Sequence, residues 1–394
     1  MKNRPDLSGS KRLAAALLAT GALTASCRSS NVEDKAAPGP SAATSSAPAP
    51  QTGGSGAPAL EGCARLKPTG TGLSKNLVGP NGEPGVTAES IKVTDADVAA
   101  AKAAVAGKVV AVAQHIGTVD YTRQVVAGVE AQLTALGAKV VTSDANFDPG
   151  RQVSDVENLL AHKPALLIIF PVDQAASSPA ILAANRAKVP VVVVGTALLG
   201  GGEYKSLISA DDYEGGVIAA DELAQALGEE GEIAIVPYKF RLWHVDQRVR
   251  GFRDGIKCSR LRVVEDQQTC TNPSDCAPVF ADILTAHPGL KGAFGAWDGI
   301  ALGMNAAAQT AGWKGAITTS DLSLASAQAI KSRSEALKAT AGQLTDTQGK
   351  VTGQIATLVL AGKEVPKMVF VPDAPVNERN VADVYQRLFG KPLP

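Results

Sequence analysis

Short apolar strands and helices of ten to fifteen residues alternate along most of this 394-residue chain, and that alternation leaves few folds open. The unit is clearest at residues 291–310, KGAFGAWDGIALGMNAAAQT. Ala293, Phe294 and Ala296 form a small apolar run suited to a buried strand. The chain then turns at Trp297-Asp298-Gly299 and continues through Ile300, Leu302, Met304 and a string of alanines at helical density. A strand feeding directly into a helix puts Trp297 and Asp298 at its carboxyl end, where open α/β sheets bind ligands. Asp298 also suits a helix N-cap, so capping and ligand contact are both open on this stretch alone.

The same unit recurs. Thr94 reads as the N-cap of an alanine-rich helix to residue 106. Residues 108–114, 138–144, 164–170 and 189–195 read as strands. The first, KVVAVAQ, lacks polar alternation, as a strand covered on both faces does. Helices fall at 121–137, 148–160 and 177–188. A second series places helices at 213–227, 245–257, 276–286 and 323–331, and strands at 232–238, 261–267 and 315–321. Residues 336–346 are short and mixed. A helix at 349–360, a strand at 367–373 and a last helix at 376–388 close the chain. Parallel βαβ units follow, with helices on the sheet faces. Two such series and a tail able to return to both predict two similar lobes with a cleft between them.

The N-terminus reads differently. Lys2, Arg4, Lys11 and Arg12 precede an apolar run at 13–23 and the small residues Thr24-Ala25-Ser26 before Cys27. This describes a secretory signal over residues 1–26. A run of about a dozen apolar residues is shorter than the roughly 20 a spanning helix needs. Cys27 resembles the lipidated cysteine of a bacterial lipobox, although Thr24 stands where leucine is usual; an ordinary secretory signal is the alternative. Residues 28–60, rich in Ala, Ser, Pro, Gly and Thr, lack the apolar surface to order themselves. Residues 27–93 are expected to be a disordered tether and N-terminal extension, with a coil reach of roughly 45 Å. No Phe, Trp or Tyr precedes Tyr121, in keeping with little packed core there.

An exported chain meets an oxidising compartment. Cys63, Cys258, Cys270 and Cys276 remain after Cys27, an even number. Cys270 and Cys276 flank the turn-rich TNPSD and are the easiest pair to close, yet four cysteines allow three connectivities. Their spacing is not that of a zinc site, and no metal or other cofactor is expected. A net charge of zero gives no electrostatic case for nucleic acid. The chain has no P-loop, G-x-G-x-x-G, H-E-x-x-H or nucleophile elbow, so no enzyme is expected. Gly200-Gly201-Gly202 reads as a flexible loop.

Several segments together carry a family likeness: AGVEAQLTALGAKVV, ISADDYEGGVIAADEL, DQRVRGFRDGI, ILTAHPGLKGAFGAWDGIALGMNAAAQTAG and VFVPDAPVNERNVADVY. In this order and spacing, residues 108–390 resemble the type I periplasmic binding proteins of sugar ABC transporters, the group containing ribose-binding protein. The resemblance implies an α/β fold of two Rossmann-like lobes with parallel sheets joined by a three-stranded hinge. The lobes would be residues 94–209 plus 343–372 and residues 210–342 plus 373–394. It also implies a monomer that closes on a sugar or related small polar ligand and delivers it to an ABC permease, outside the cytoplasm and lipid-anchored through Cys27. A ligand sensor of the same fold, docking on a signalling receptor, is the alternative. A sugar-responsive repressor would need a DNA-binding headpiece where the secretory start lies.

By the same resemblance, Tyr121 stands where a sugar-stacking aromatic follows the first strand, and Arg248 where an arginine donates to sugar hydroxyls. Trp297 replaces the usual Asn before Asp298. Asp321 matches the acid after the next strand, and Gln343 a hinge glutamine that reaches the ligand. Gly195-Thr196 replaces an Asp-Arg pair typical of ribose-like binders. His115, at the first strand's carboxyl end, is a candidate for the cleft and equally for a structural role. Carboxylates accept, the guanidinium donates, the amide does both, and Tyr121 and Trp297 suit the apolar ring faces, as do Trp243 and Phe240. A surface place for Arg248, a core place for Trp297, a capping place for Asp321 and a solvated place for Gln343 are the structural alternatives.

Overall fold

The computed structural model describes residues 63–69 and 78–394. The expected signal segment, Cys27 and most of the expected tether lie outside the described residues. The first half of the chain forms β1 (Gly85–Thr87), α1 (Asp95–Val105), β2 (Val109–Gln114), α2 (Asp120–Ala135), β3 (Lys139–Asp144), α3 (Pro149–Ala161), β4 (Leu166–Ile169), α4 (Ser178–Arg186), β5 (Val191–Val194) and β6 (Ser206–Ala210). Then follow α5 (Asp212–Leu227), β7 (Glu230–Val236), α6 (Trp243–Ile256), β8 (Arg260–Glu265), α7 (Pro273–Ala286), β9 (Leu290–Gly295), α8 (Asp298–Ala311), β10 (Ala316–Ser320) and α9 (Leu324–Lys331). The chain ends with β11 (Leu337–Gln343), α10 (Thr345–Leu360), β12 (Met368–Val371), β13 (Asp373–Asn377) and α11 (Val381–Phe389).

These strands make two sheets, ordered β1-β12-β6-β5-β4-β2-β3 and β13-β11-β10-β9-β7-β8. Every pairing is parallel except that of β13 with β11. The missing polar alternation in the first sheet has a direct cause. Val110, Val112, Leu166 and Ile168 enter one apolar cluster, while Ala111, Ala113, Leu167 and Ile169 enter another on the opposite face. Both faces are covered, so both must be apolar.

Between the sheets the chain crosses from β6 into α5, from β11 into α10, and from β12 into β13. Helix α10 packs on the first sheet through Val351 and Ile355. Helix α11 packs with the second through Val381, Tyr385 and Leu388.

Four features depart from the sequence reading. β6, SLISA, was not anticipated, and residues 337–343 form a full strand rather than a mixed stretch. The final helix begins at Val381, not near 376, because Asp373–Asn377 is an edge strand. Pro375 is compatible with an edge. The Asn380 side chain accepts from the Asn377 N–H at 2.8 Å and donates to the Pro375 carbonyl at 2.8 Å, ending the strand in a turn. Finally, the extension is not all tether: β1 pairs with β12, and Cys63 is disulfide-bonded to Cys258. Cys270 pairs with Cys276.

Candidate functional site

Two glycines set the geometry. A Cβ on Gly216 of α5 would sit 2.0 Å from the Arg248 carbonyl, and one on Gly251 of α6 would sit 1.9 Å from the Tyr213 carbonyl. Helices α5 and α6 therefore touch backbone to backbone, which brings Asp212, the first residue of α5, against Arg248 in the middle of α6. Arg248 Nε donates to Asp212 Oδ1 at 2.8 Å, with both side chains under 5% exposed. Nη1 donates to the Ala296 carbonyl at 3.1 Å, and Nη1 and Nη2 each donate to one oxygen of Asp321 at 3.1 Å. Four of the five guanidinium protons are thus engaged by protein. The sequence reading made Arg248 chiefly a ligand donor; it first of all holds two carboxylates and the strand end at Ala296.

Asp321 is the more open member, with its side chain 20% exposed. It lies at φ +74°, a left-handed conformation that costs a non-glycine residue energy. The Asp321 N–H donates to the Ala341 carbonyl at 2.9 Å, and the Thr340 hydroxyl donates to the Asp321 carbonyl at 2.6 Å, so strand β11 imposes this backbone. Asp321 does not cap α9; Ser323 does. Trp297 is the N-cap residue of α8 and Asp298 its first helical residue, so Asp298 is not the N-cap. The Asp298 carboxylate accepts from Ser326 Oγ at 3.2 Å. The Trp297 ring folds back over Gly299, where a Cβ would meet it at 2.2 Å.

Burial pushes Asp212 up to about 7, against the pull of Arg248, and Asp298 up to about 6, with Asp321 adding to the rise. Burial also raises Asp373 well above the carboxylate range, helped by Asp212. Burial alone would lower Arg248, but Asp321, Asp212 and Asp373 keep it firmly charged. The Tyr121 hydroxyl is pushed up by burial and then by Asp212 and Asp321, which puts it in the same field. Its oxygen lies 3.2 Å from the place a Cβ on Gly195 would take. Gln343 is buried and stands opposite Asp373 in the β11–β13 register.

His115 sits among aromatic rings, 6.4 Å from Tyr121, 5.5 Å from Phe147 and 5.9 Å from Phe170 by centroids. Burial lowers it to about 4. His244, on the first turn of α6, is lowered by burial and by the charges of Arg248 and His115. Trp243 packs against Phe370 of the first sheet at 6.4 Å, whereas Phe240 is 54% exposed and lies edge-on to Tyr238 at 5.6 Å. Hydrogen bonds that also join the halves include Gln174 Nε2 to the Arg241 carbonyl at 2.7 Å, the Leu324 N–H to Asp120 Oδ2 at 3.1 Å and Arg387 Nε to Asp346 Oδ2 at 3.3 Å.

Sequence reasoning noted Thr196 only as a departure from a ribose-type clamp and missed Asp212, Asp373, His244 and Ser320. Asp212 had a visible signal in its position at the start of a helix rich in glycine; the others had none. Buried polar atoms without a hydrogen-bond partner include His115 Nδ1, Thr196 Oγ1, His244 Nδ1, Trp297 Nε1, Ser320 Oγ and both Asp373 carboxylate oxygens. His115, Thr196 and Asp373 lie just past strands β2, β5 and β12 of the first sheet, and Trp297 and Ser320 lie at the ends of β9 and β10 of the second, whereas His244 stands on the first turn of α6. Among the described residues no group of three or more His, Cys, Asp or Glu is arranged to hold a metal, and no helix is long and apolar enough to cross a membrane.

The periplasmic binding protein domain family matches residues 109–364. The ribose import binding protein RbsB of Bacillus subtilis is 30% identical over 245 residues, covering 62% of this chain and 79% of that protein. Among solved structures, an ABC transporter solute binding protein of Agrobacterium vitis bound with alpha-D-tagatopyranose superposes with a TM-score of 0.65 at 25% identity, across 70% of this chain and 96% of its own. A second from the same organism, with bound D-fucose, superposes at 0.63 and 26% identity, across 71% and 98%.

Proposed function

The chain belongs to the periplasmic binding protein domain family, and we propose that it captures a sugar or related polyol between its two lobes and hands it to an ABC permease. The lobes are read as residues 94–209 with 343–372 and residues 210–342 with 373–394; sheet membership supports this division except at Ala210, the last residue of β6, at Gln343, the last of β11, and at β1, which precedes residue 94. The observation that carries the proposal is the set of unpartnered buried polar atoms at the strand ends of both sheets. A buried polar group left unsatisfied costs about 1–3 kcal/mol. A guest with many hydroxyls, each donor and acceptor at once, satisfies such a set best. The ribose, tagatopyranose and fucose named for the relatives support the same class.

Within the site, Asp321 and Asp298 accept from hydroxyls, Gln343 bridges, and Tyr121 and Trp297 cover ring faces. His115 lies beside Tyr121 on the first lobe. Arg248 offers its one remaining proton and otherwise fixes Asp321. Tyr121 fills the space beside Gly195 that a larger residue would need, so the ligand is read as one that a ribose-type clamp does not select. Export through residues 1–26 and a lipid anchor at Cys27 complete the proposal, on the sequence pattern alone.

A thermal-shift screen of sugars, polyols and nucleosides tests it. A ligand at a hundredfold excess over its dissociation constant is expected to add about 2.7 kcal/mol. No response across a broad panel would count against the proposal. Detergent phase partition of the exported protein and of Cys27→Ala tests the anchor, which is expected to move the protein into the detergent phase only when Cys27 is present.

A further inference from the structure

Residues 63–69 lie along α5, and we propose that this arm is a positioning element for the hinge rather than the end of a leash. Cys63 is bonded to Cys258, two residues past the end of α6. Arg65 pairs with Asp221 on α5 and, at 3.0 Å, with Glu229 just beyond it. The Arg65 and Asp221 side chains are 8% and 13% exposed, so this is not a solvated surface pair of little consequence. Nearer the hinge, the Thr69 N–H and hydroxyl both donate to Glu214 Oε1, at 2.8 and 3.1 Å. Glu214 is fully buried. It stands in the first turn of α5, two residues after the Asp212 that receives Arg248. The arm therefore runs antiparallel to α5, from its far end to the crossing between β6 and α5.

Farther along, the extension is fastened to the other sheet. β1 pairs with β12, and the Tyr204 hydroxyl donates to Glu83 at 3.1 Å. The arm could act as a strap limiting how far the lobes part, or as a brace on α5. The contacts decide between these. The chain folds back at the Val78–Pro84 bridge, so nine residue steps, spanning at most about 30 Å, carry it from Thr69 to Val78. A strap would act only when the lobes part that far, whereas the bonds from Arg65 and Thr69 to α5 are already made, so the brace is the effect these contacts carry. Two donors aimed at a buried carboxylate fix the first turn of α5, and with it the Asp212 carboxylate that orients Arg248. The inference rests on the two-lobed reading above but on no particular ligand.

The test uses the full chain without ligand. Hydrogen exchange by mass spectrometry is compared between the native sequence and Cys63→Ser/Arg65→Ala. Exchange of the Arg248 Nε–H is followed by NMR. Amides of residues 211–216 are expected to exchange at least tenfold faster in the variant, and the Arg248 Nε–H likewise, while β2, β4 and β5 are unchanged. If the double variant fails to fold, Thr69→Pro removes both donors to Glu214 while leaving the disulfide and Arg65, and the same local acceleration is expected. Unchanged exchange at 211–216, or an equal acceleration across both sheets, overturns the proposal.

Discussion

Arg248 and Asp321 meet fork to fork, each terminal guanidinium nitrogen donating at 3.1 Å to a different carboxylate oxygen. Behind that pair the Nε–H reaches Asp212, so one planar group spans the start of α5, the middle of α6 and the loop after β10. Geometry of this kind is bidentate on one side and single on the other, which a lysine cannot reproduce. The guanidinium is nearly sealed from water, while Asp321 keeps an open edge. Support and presentation are thus divided between the two residues.

Arg248→Ala is expected to destabilise the protein by about 3–5 kcal/mol at neutral pH, because it leaves the Asp212 carboxylate buried without its partner. Arg248→Met combined with Asp212→Asn is expected to recover at least half of that loss. Urea denaturation of the three proteins measures both. A loss under about 1 kcal/mol for Arg248→Ala would mean that the network does not hold the lobe together.

Gly251→Ala tests the contact that places Arg248. A methyl 1.9 Å from the Tyr213 carbonyl leaves no room without moving α6 off α5. The expected loss is about 3 kcal/mol or more, at the upper end for overpacking because the obstacle is backbone. Alanine at the open position Gly107 is no control, since its φ of +72° carries strain of its own; Ala308→Gly, a cavity without a clash, is the better comparison. A Gly251→Ala protein as stable as the native one would refute the backbone contact.

Two opposed pH effects follow from burial. His115 is lowered to about 4 from 6.5, so the unfolded chain takes up its proton first. Its contribution to stability is full above about 6.5 and is lost as pH falls toward about 4. Asp298, raised to about 6, acts the other way: the unfolded chain ionises first, and stability falls as pH rises from about 4 to 6. His115→Phe is therefore expected to lose less stability than the native protein between pH 6.5 and 4, and Asp298→Asn to lose less between pH 4 and 6. Denaturation at pH 4.5, 5.5 and 7.5 checks both. Profiles parallel to the native one would show that neither group titrates differently on folding.

Periodicity made the parallel sheets legible. Strands such as VVAVAQ and VVVV announce themselves by unbroken apolar runs, because helices cover both faces. β6 hid behind two serines, and β11 behind Lys338 and Thr340; Ser209 donates to the Gly195 carbonyl and Thr340 to that of Asp321. Burial of a polar residue with its partner is a tertiary fact that composition does not reveal. The edge strand β13 resembled a helix start because its alternation runs for only five residues. Asp298 could be named from its place after a strand, and Arg248 and Asp321 through the family resemblance. The division of labour among them could not, since it depends on which oxygen faces which nitrogen. The pairing of Cys63 with Cys258 was one of three possibilities until the fold brought the arm beside α6.

Asp321→Asn separates binding from support. Each Asp321 oxygen receives one Arg248 bond and keeps lone pairs on its open edge, so the proposed ligand contact and the ion pair use the same carboxylate from opposite sides. Asparagine is isosteric and tolerates the φ of +74° better than most residues. It retains one carbonyl oxygen for Arg248 but turns an amide donor toward the guanidinium or toward the guest. The first arrangement sets donor against donor, and the second replaces an acceptor with a donor where a hydroxyl proton is expected. Loss of a hydrogen bond to a charged group is worth about 1.5–3 kcal/mol, or roughly ten- to a hundredfold in affinity. The stability cost is expected to be smaller than that of Arg248→Ala, because Asp212 still balances the buried guanidinium. Titration calorimetry with whichever sugar or polyol stabilises the native protein, beside urea denaturation of both variants, reads the two quantities separately. Affinity unchanged in Asp321→Asn would remove Asp321 from the binding surface and leave it as a strut for Arg248.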